Sequence, residues 1–81
     1  MRVESNTVDL RGRRVGDIEG EVQRGIDRAL SIGTLFVVHG RGGGALRKQV
    51  RALLLEDPLV EHYEDAPEAE GGNGCTIAYL R

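Results

Sequence analysis

The chain predicts an α/β fold: an α+β two-layer sandwich of order βαβαββ, in which a four-stranded mixed sheet carries two helices on one face. Three observations predict it. Two stretches repeat apolar residues at three- and four-residue steps, four short runs read as strands, and glycine or proline separates the elements. Residues 1–81 read as one domain, with a folded core over 7–81 and a flexible segment over 1–6. A chain this short buries only about 60 to 65% of the surface it exposes when unfolded, so a single modest core is the most it can build.

Thr7-Val8-Asp9-Leu10 alternates briefly and stops at Gly12, which predicts a first strand with Asp9 and Arg11 at its C-terminal end. Val15, Ile18, Val22, Ile26, Ala29 and Leu30 form one apolar stripe, predicting an amphipathic helix from about Val15 to Ile32 that Gly33 stops. Gly16, Gly20 and Gly25 each cost about 1 kcal/mol against alanine in a helix interior, so this helix depends on packing more than on propensity. Leu35 to Val38 predicts a second strand with both faces covered. The run Gly40-Arg41-Gly42-Gly43-Gly44 then leads to a second helix with the stripe Leu46, Val50, Leu53 and Leu54. Asp57-Pro58 ends it, because the residue before proline disfavours the helical region. Leu59 to Tyr63 reads as a third strand, and an acidic, glycine-rich connection through Pro67 and Gly71 to Gly74 leads to the fourth, Cys75 to Leu80.

Composition narrows the function. At 40% hydrophobic and 30% charged residues the chain is an ordinary globular one, and a net charge of -2 argues against a generally basic nucleic-acid binder. The charges are nevertheless segregated. From His39 to Ala52 they are Arg41, Arg47, Lys48 and Arg51, whereas Glu56 to Glu70 carries seven carboxylates, which predicts one basic and one acidic face. One cysteine, Cys75, excludes an internal disulfide and reads as a buried, inert thiol. With one Cys and two His no zinc cluster is written locally. No apolar leader or membrane-spanning run occurs, so the expected setting is cytoplasmic, with no membrane partner.

Strands one and two are joined by a helical crossover and are expected to run parallel. Their C-terminal ends then share one sheet edge, where open α/β sheets bind ligands, so Asp9 and Arg11 should approach His39 and the glycine loop. The Gly71 to Gly74 loop joins them if the third strand is also parallel and the fourth returns antiparallel. Such an edge suits a phosphodiester. Arg41, the loop glycines Gly40, Gly42, Gly43 and Gly44, and Arg47 and Lys48 of the helix start are the expected phosphate or nucleic-acid contacts. Asp9, His39 and Arg11 are the catalytic candidates: His39 moves a proton near neutral pH, and Arg11 offsets charge developing in displacement. Asp9 has three open roles: orienting His39, acting as a base towards water, or holding one Mg²⁺ or Mn²⁺ ion; no metal is firmly assigned. A two-metal mechanism needs more carboxylates than this edge supplies. Arg47, Lys48 and Arg51 also fit a solvated helix face, and the i,i+4 pair Arg47 and Arg51 is mildly repulsive without a partner. Gly40-x-Gly42-x-x-Ala45 formally matches a dinucleotide fingerprint, but the second half of a doubly wound domain is missing, and no P-loop occurs.

Val8-Asp9-Leu10-Arg11-Gly12, followed by His39-Gly40-Arg41-Gly42-Gly43-Gly44-Ala45-Leu46-Arg47, resembles the paired motifs of the Smr (small MutS-related) domain. Gly72-Asn73-Gly74-Cys75-Thr76 is similar to that family's closing element, and the resemblance covers Thr7 to Arg81. Val8 stands where leucine is usual and Gly43 where threonine is common. The resemblance implies a fold like the C-terminal domain of bacterial translation initiation factor three. It also implies nicking-endonuclease or nucleic-acid-binding activity, and frequent placement at the C-terminus of the second bacterial MutS paralogue. There it would follow a MutS-like ATPase part acting on branched DNA or stalled ribosomes, with a role in suppressing recombination or in ribosome quality control. Two readings result: a structure-tolerant DNA nicking endonuclease, and a non-catalytic module that binds branched DNA or ribosomal RNA. RNA cleavage is a third, since nothing in the sequence separates the sugars.

Overall fold

The structure, a computed structural model, describes residues 2–81. Four strands, β1 (Thr7–Asp9), β2 (Thr34–Val38), β3 (Val60–Asp65) and β4 (Cys75–Leu80), form one sheet of order β1-β2-β4-β3. Two helices, α1 (Glu19–Ala29) and α2 (Ala45–Glu56), complete the expected βαβαββ order. β1 and β2 are parallel, with Thr7 opposite Phe36, Val8 opposite Val37 and Asp9 opposite Val38. β4 runs antiparallel to both β2 and β3. The C-terminal ends of β1, β2 and β3 and the start of β4 therefore meet at one edge.

Alternation along the strands divides the molecule into two apolar layers. Val8, Leu10, Leu35, Val37, Ala78 and Leu80 face the helices and pack with Ile18, Val22, Ile26 and Ala29 of α1 and Val50 and Leu54 of α2. Both helices thus cover one face. The other face carries Phe36, Cys75 and Ile77, with Ala66 packed among them. Cys75 is buried, and burial pushes its thiol up, which makes it a poor nucleophile.

Several boundaries move from their expected positions. Val15–Asp17 is a separate 3₁₀ turn, and α1 proper runs only to Ala29, after which Gly33 at φ 97° donates its amide to the Ala29 carbonyl at 2.8 Å. The stripe is buried in its middle and open at its ends, with Val15 38% and Leu30 37% exposed. Gly25 has a positive reason to be glycine: a Cβ there would overlap the Val8 side chain and press on Leu35, so its absence lets α1 lie close on β1 and β2. β3 extends past Tyr63 to Asp65, because Tyr63, Glu64 and Asp65 pair with Ala78, Ile77 and Thr76. Within the segment expected to be flexible over 1–6, Glu4–Asn6 forms a 3₁₀ turn, and buried Asn6 accepts the Val3 amide at 2.7 Å. Met1 lies outside the described residues. Among the described residues no helix is long and apolar enough to cross a membrane.

Candidate functional site

At the shared edge, Asp9 and Arg11 form a side-on pair. Arg11 Nε donates to Asp9 Oδ1 at 3.0 Å and Nη2 to Oδ2 at 2.7 Å, while the Arg11 amide also reaches Oδ1 at 3.1 Å. Both side chains are exposed. The hydrogen bond from Arg11 holds the Asp9 carboxyl below the usual carboxylate range, so Asp9 is charged near neutrality. The stem of Arg11 runs past Gly40, its Cγ 3.5 Å from where a Cβ would stand.

The glycine loop is anchored at its base and open at its tip. The amides of His39 and Gly40 both donate to the Gly74 carbonyl, at 3.1 and 2.9 Å. This ties the loop after β2 to the turn before β4, as the shared edge requires. Gly40 and Gly44 hold positive φ of 83° and 84°. A Cβ at Gly42, Gly43 or Gly44 would meet nothing within 4 Å, so this stretch borders open space. α2 then starts at Gly44 with no side-chain cap and no acid in its first turn, while Arg47 and Lys48 stand there instead. That is the reverse of what a helix dipole favours, and it fits an anion supplied from outside.

Arg41 leans the other way along the edge. Its Nη2 reaches Glu68 at 3.3 Å and donates to the Gly71 carbonyl at 3.1 Å. A Cβ on Gly74 would press on the Arg41 stem at 3.0 Å, so that glycine keeps the arginine flat on the turn.

His39 stands apart from Asp9. In the register, Asp9 faces Val38 on the layer away from the helices, whereas His39, one residue further, falls on the helix layer with Leu10. The expectation that Asp9 orients His39 is therefore corrected, because consecutive strand residues point to opposite faces. His39 Nδ1 donates to the Gly40 carbonyl at 2.9 Å, which leaves Nε2 to accept the Thr76 hydroxyl, also at 2.9 Å. The ring is 4% exposed, and burial, reinforced by Arg47 and Arg51, holds its pKa below the ordinary imidazole value.

From Thr76 the network continues through residues outside the sequence-derived site. Arg51 Nη2 lies 3.4 Å from Thr76 Oγ1 and 2.6 Å from Asp65 Oδ1, and Arg47 Nη2 reaches the same Asp65 oxygen at 3.0 Å. The Arg51 guanidinium also sits over the Tyr63 ring, 5.2 Å from its centroid. The repulsion expected between Arg47 and Arg51 is answered by one shared carboxylate. Asp65 is pulled down in pKa chiefly by its bond from Arg47. The expectation of separate basic and acidic faces is corrected here: Asp65 and Glu68 fold back onto Arg47, Arg51 and Arg41. Lys48 remains exposed at the start of α2. In the sequence Thr76 figures only within the closing Gly72 to Thr76 element, and Asp65 only as one carboxylate of the acidic run from Glu56 to Glu70.

Among the described residues no three His, Cys, Asp or Glu side chains converge as a metal cage. A Mg²⁺ or Mn²⁺ ion at this edge would have Asp9 as its protein ligand, and would have to displace Arg11 from it.

The fold and this edge define a small α+β module that offers basic side chains and a glycine-loop helix start at the ends of parallel strands. The chain belongs to the Smr domain family, whose family model matches residues 8–81. It is 44% identical over 81 residues to the endonuclease MutS2 of Synechocystis sp., covering 100% of this chain and 10% of that protein. To the endonuclease MutS2 of Thermus thermophilus it is 45% identical over 82 residues, 99% of this chain and 11% of that one. The chain thus spans about a tenth of these relatives. The crystal structure of the Smr domain of Thermus thermophilus MutS2 superposes with a TM-score of 0.86 at 44% identity, covering 94% of this chain and 98% of that one. YdaL, a stand-alone small MutS-related protein from Escherichia coli, gives 0.87 at 25% identity over 98% of this chain and 66% of its own.

Proposed function

We propose that the chain is a nuclease-type module that grips a nucleic-acid phosphodiester at the Asp9–Arg11 edge and nicks DNA. The observation that carries it is the exposed Asp9–Arg11 pair beside a glycine loop that opens an uncapped helix with basic residues in its first turn. An incoming phosphate competes with Asp9 for the Arg11 guanidinium. Arg11 moving to phosphate oxygens leaves Asp9 free to take a proton from the attacking water, coupling substrate arrival to release of the base. Lys48, the Gly42 to Gly44 stretch and the start of α2 hold the neighbouring charge. His39 serves as a positioning residue in this scheme, fixing the Gly40 carbonyl and so the loop.

The names of the relatives support a nuclease in general. The finer reading is our own: DNA nicking within a longer chain with a MutS-like ATPase part, in a cytoplasmic setting, with a part in suppressing recombination. A second reading, a binding module for branched DNA or ribosomal RNA that does not cut, is favoured by His39, whose two ring nitrogens are both engaged. Ribonuclease action is the third.

Supercoiled-plasmid nicking by the wild type, Asp9→Asn and His39→Gln, with Mg²⁺, with Mn²⁺ and with chelator, tests this. A hundred-fold or greater loss in Asp9→Asn, the order of about 10² to 10⁴ expected of a general base, supports the nuclease. Equal nicking by all three marks a contaminating enzyme and leaves the binding module.

A further inference from the structure

Beside the edge already described lies a cleft of about 450 Å³ between the outer side of β1 and α1, lined by Asp9, Arg13, Glu21, Arg24 and Arg28. β1 is an edge strand, paired only with β2. The Leu10 amide donates to Val38, so the alternation of a parallel ladder turns the Asp9 amide outward, away from β2. Glu21, Arg24 and Arg28 lie on one side of α1, at i, i+3 and i+7. Glu21 is taken by Arg13, whose Nε lies 3.0 Å from its carboxylate. Arg24 and Arg28 are exposed and, among the described residues, make no hydrogen bond or ion pair. They contrast with Arg11, Arg41, Arg47 and Arg51, each of which has a carboxylate of its own or shares one.

Gly20 makes room for one of them. A Cβ there would come within 3.1 Å of Arg24 Nη1, so the guanidinium lies folded over the glycine rather than extended away.

We propose that this cleft is a second phosphate subsite, in which Arg24, Arg28 and the outward Asp9 amide hold a phosphate of the same strand whose neighbouring phosphate sits at Asp9 and Arg11. The inference rests on the function proposed above, because Asp9 lines both places and makes them continuous. The substrate class is a polynucleotide backbone.

Binding of a fluorescein-labelled DNA duplex across a salt series tests it, with Arg24→Gln, Arg28→Gln and the double variant, and Arg81→Gln at the far end of β4 as control. All three side chains are exposed, and circular dichroism verifies the fold. Each phosphate contact contributes roughly 0.9 to the slope of log affinity against log salt, so the double variant should lose about 1 from that slope. We expect at least a ten-fold weaker affinity for the double variant, while Arg81→Gln stays within two-fold of the wild type. A double variant with unchanged slope overturns the subsite, as does a wild type without salt-dependent binding. Inorganic phosphate that binds the wild type but not the double variant, and at constant ionic strength does not displace duplex, marks a free-phosphate pocket and also overturns it. Nicking separates the two claims: loss in Asp9→Asn with an unchanged slope in the double variant removes the cleft and keeps the nuclease.

Discussion

His39 Nε2 accepts the Thr76 hydroxyl at 2.9 Å, 37 residues away in sequence, and both residues are buried between the sheet and the start of α2. Since Nδ1 is committed to the Gly40 carbonyl, this bond closes a chain from the glycine loop through Thr76 to Arg51 and Asp65. The glycine loop is thereby held from below.

Thr76→Val keeps the shape and removes the hydroxyl, leaving His39 Nε2 buried without a partner. The loss should be about 1 to 3 kcal/mol, the range for a buried polar group left unsatisfied. In a domain of this size that lowers Tm by roughly 4 to 8 °C per kcal/mol. Thr76→Ser should recover most of it. A Thr76→Val protein that melts with the wild type would show that the bond contributes nothing.

Burial keeps His39 neutral in the fold, with its pKa below the value of about 6.5 that it has when the chain is unfolded. Above that pH neither state is protonated and stability is at its full value. As pH falls through it, the unfolded chain takes up the proton first, so stability declines until the folded pKa is passed. Tm measured from pH 8 to 5 should fall over the lower half of that range, and the fall should flatten in His39→Gln.

Asp65 is an internal anion that occupies both Arg47 and Arg51. Asp65→Asn should free the two guanidiniums for external phosphate, raising DNA affinity several-fold and steepening its salt slope by about 1 to 2. Titrations at a series of salt concentrations read this directly. An unchanged slope would mean that neither arginine reaches nucleic acid.

Gly25→Ala adds a methyl where Val8 already stands. Helix propensity rises by about 1 kcal/mol, but overpacking costs about 1 to 3 kcal/mol, so the net change should be destabilising. Urea unfolding checks the sign. A more stable Gly25→Ala protein would show that α1 can lift off the sheet without loss.

Local signals account for what was legible in the chain. The periods of Val22, Ile26 and Ala29 and of Val50 and Leu54, the glycines at 33 and 40 to 44, and the Asp57-Pro58 stop gave the elements and their order, because period and turn chemistry act within a few residues. The crossover rule then put Asp9, Arg11 and the glycine loop at one edge. What only the tertiary structure decided is which side chains meet there. The register sent Asp9 and His39 to opposite faces, since a strand turns over every residue. Asp65 reached Arg47 and Arg51, 18 and 14 residues away, because β3 paired with β4 beyond its expected end at Tyr63. Whether a charge is free or paired depends on such non-local contacts. Arg24 and Arg28 read in sequence as any helix face, and only the fold shows them unpaired beside an open strand edge.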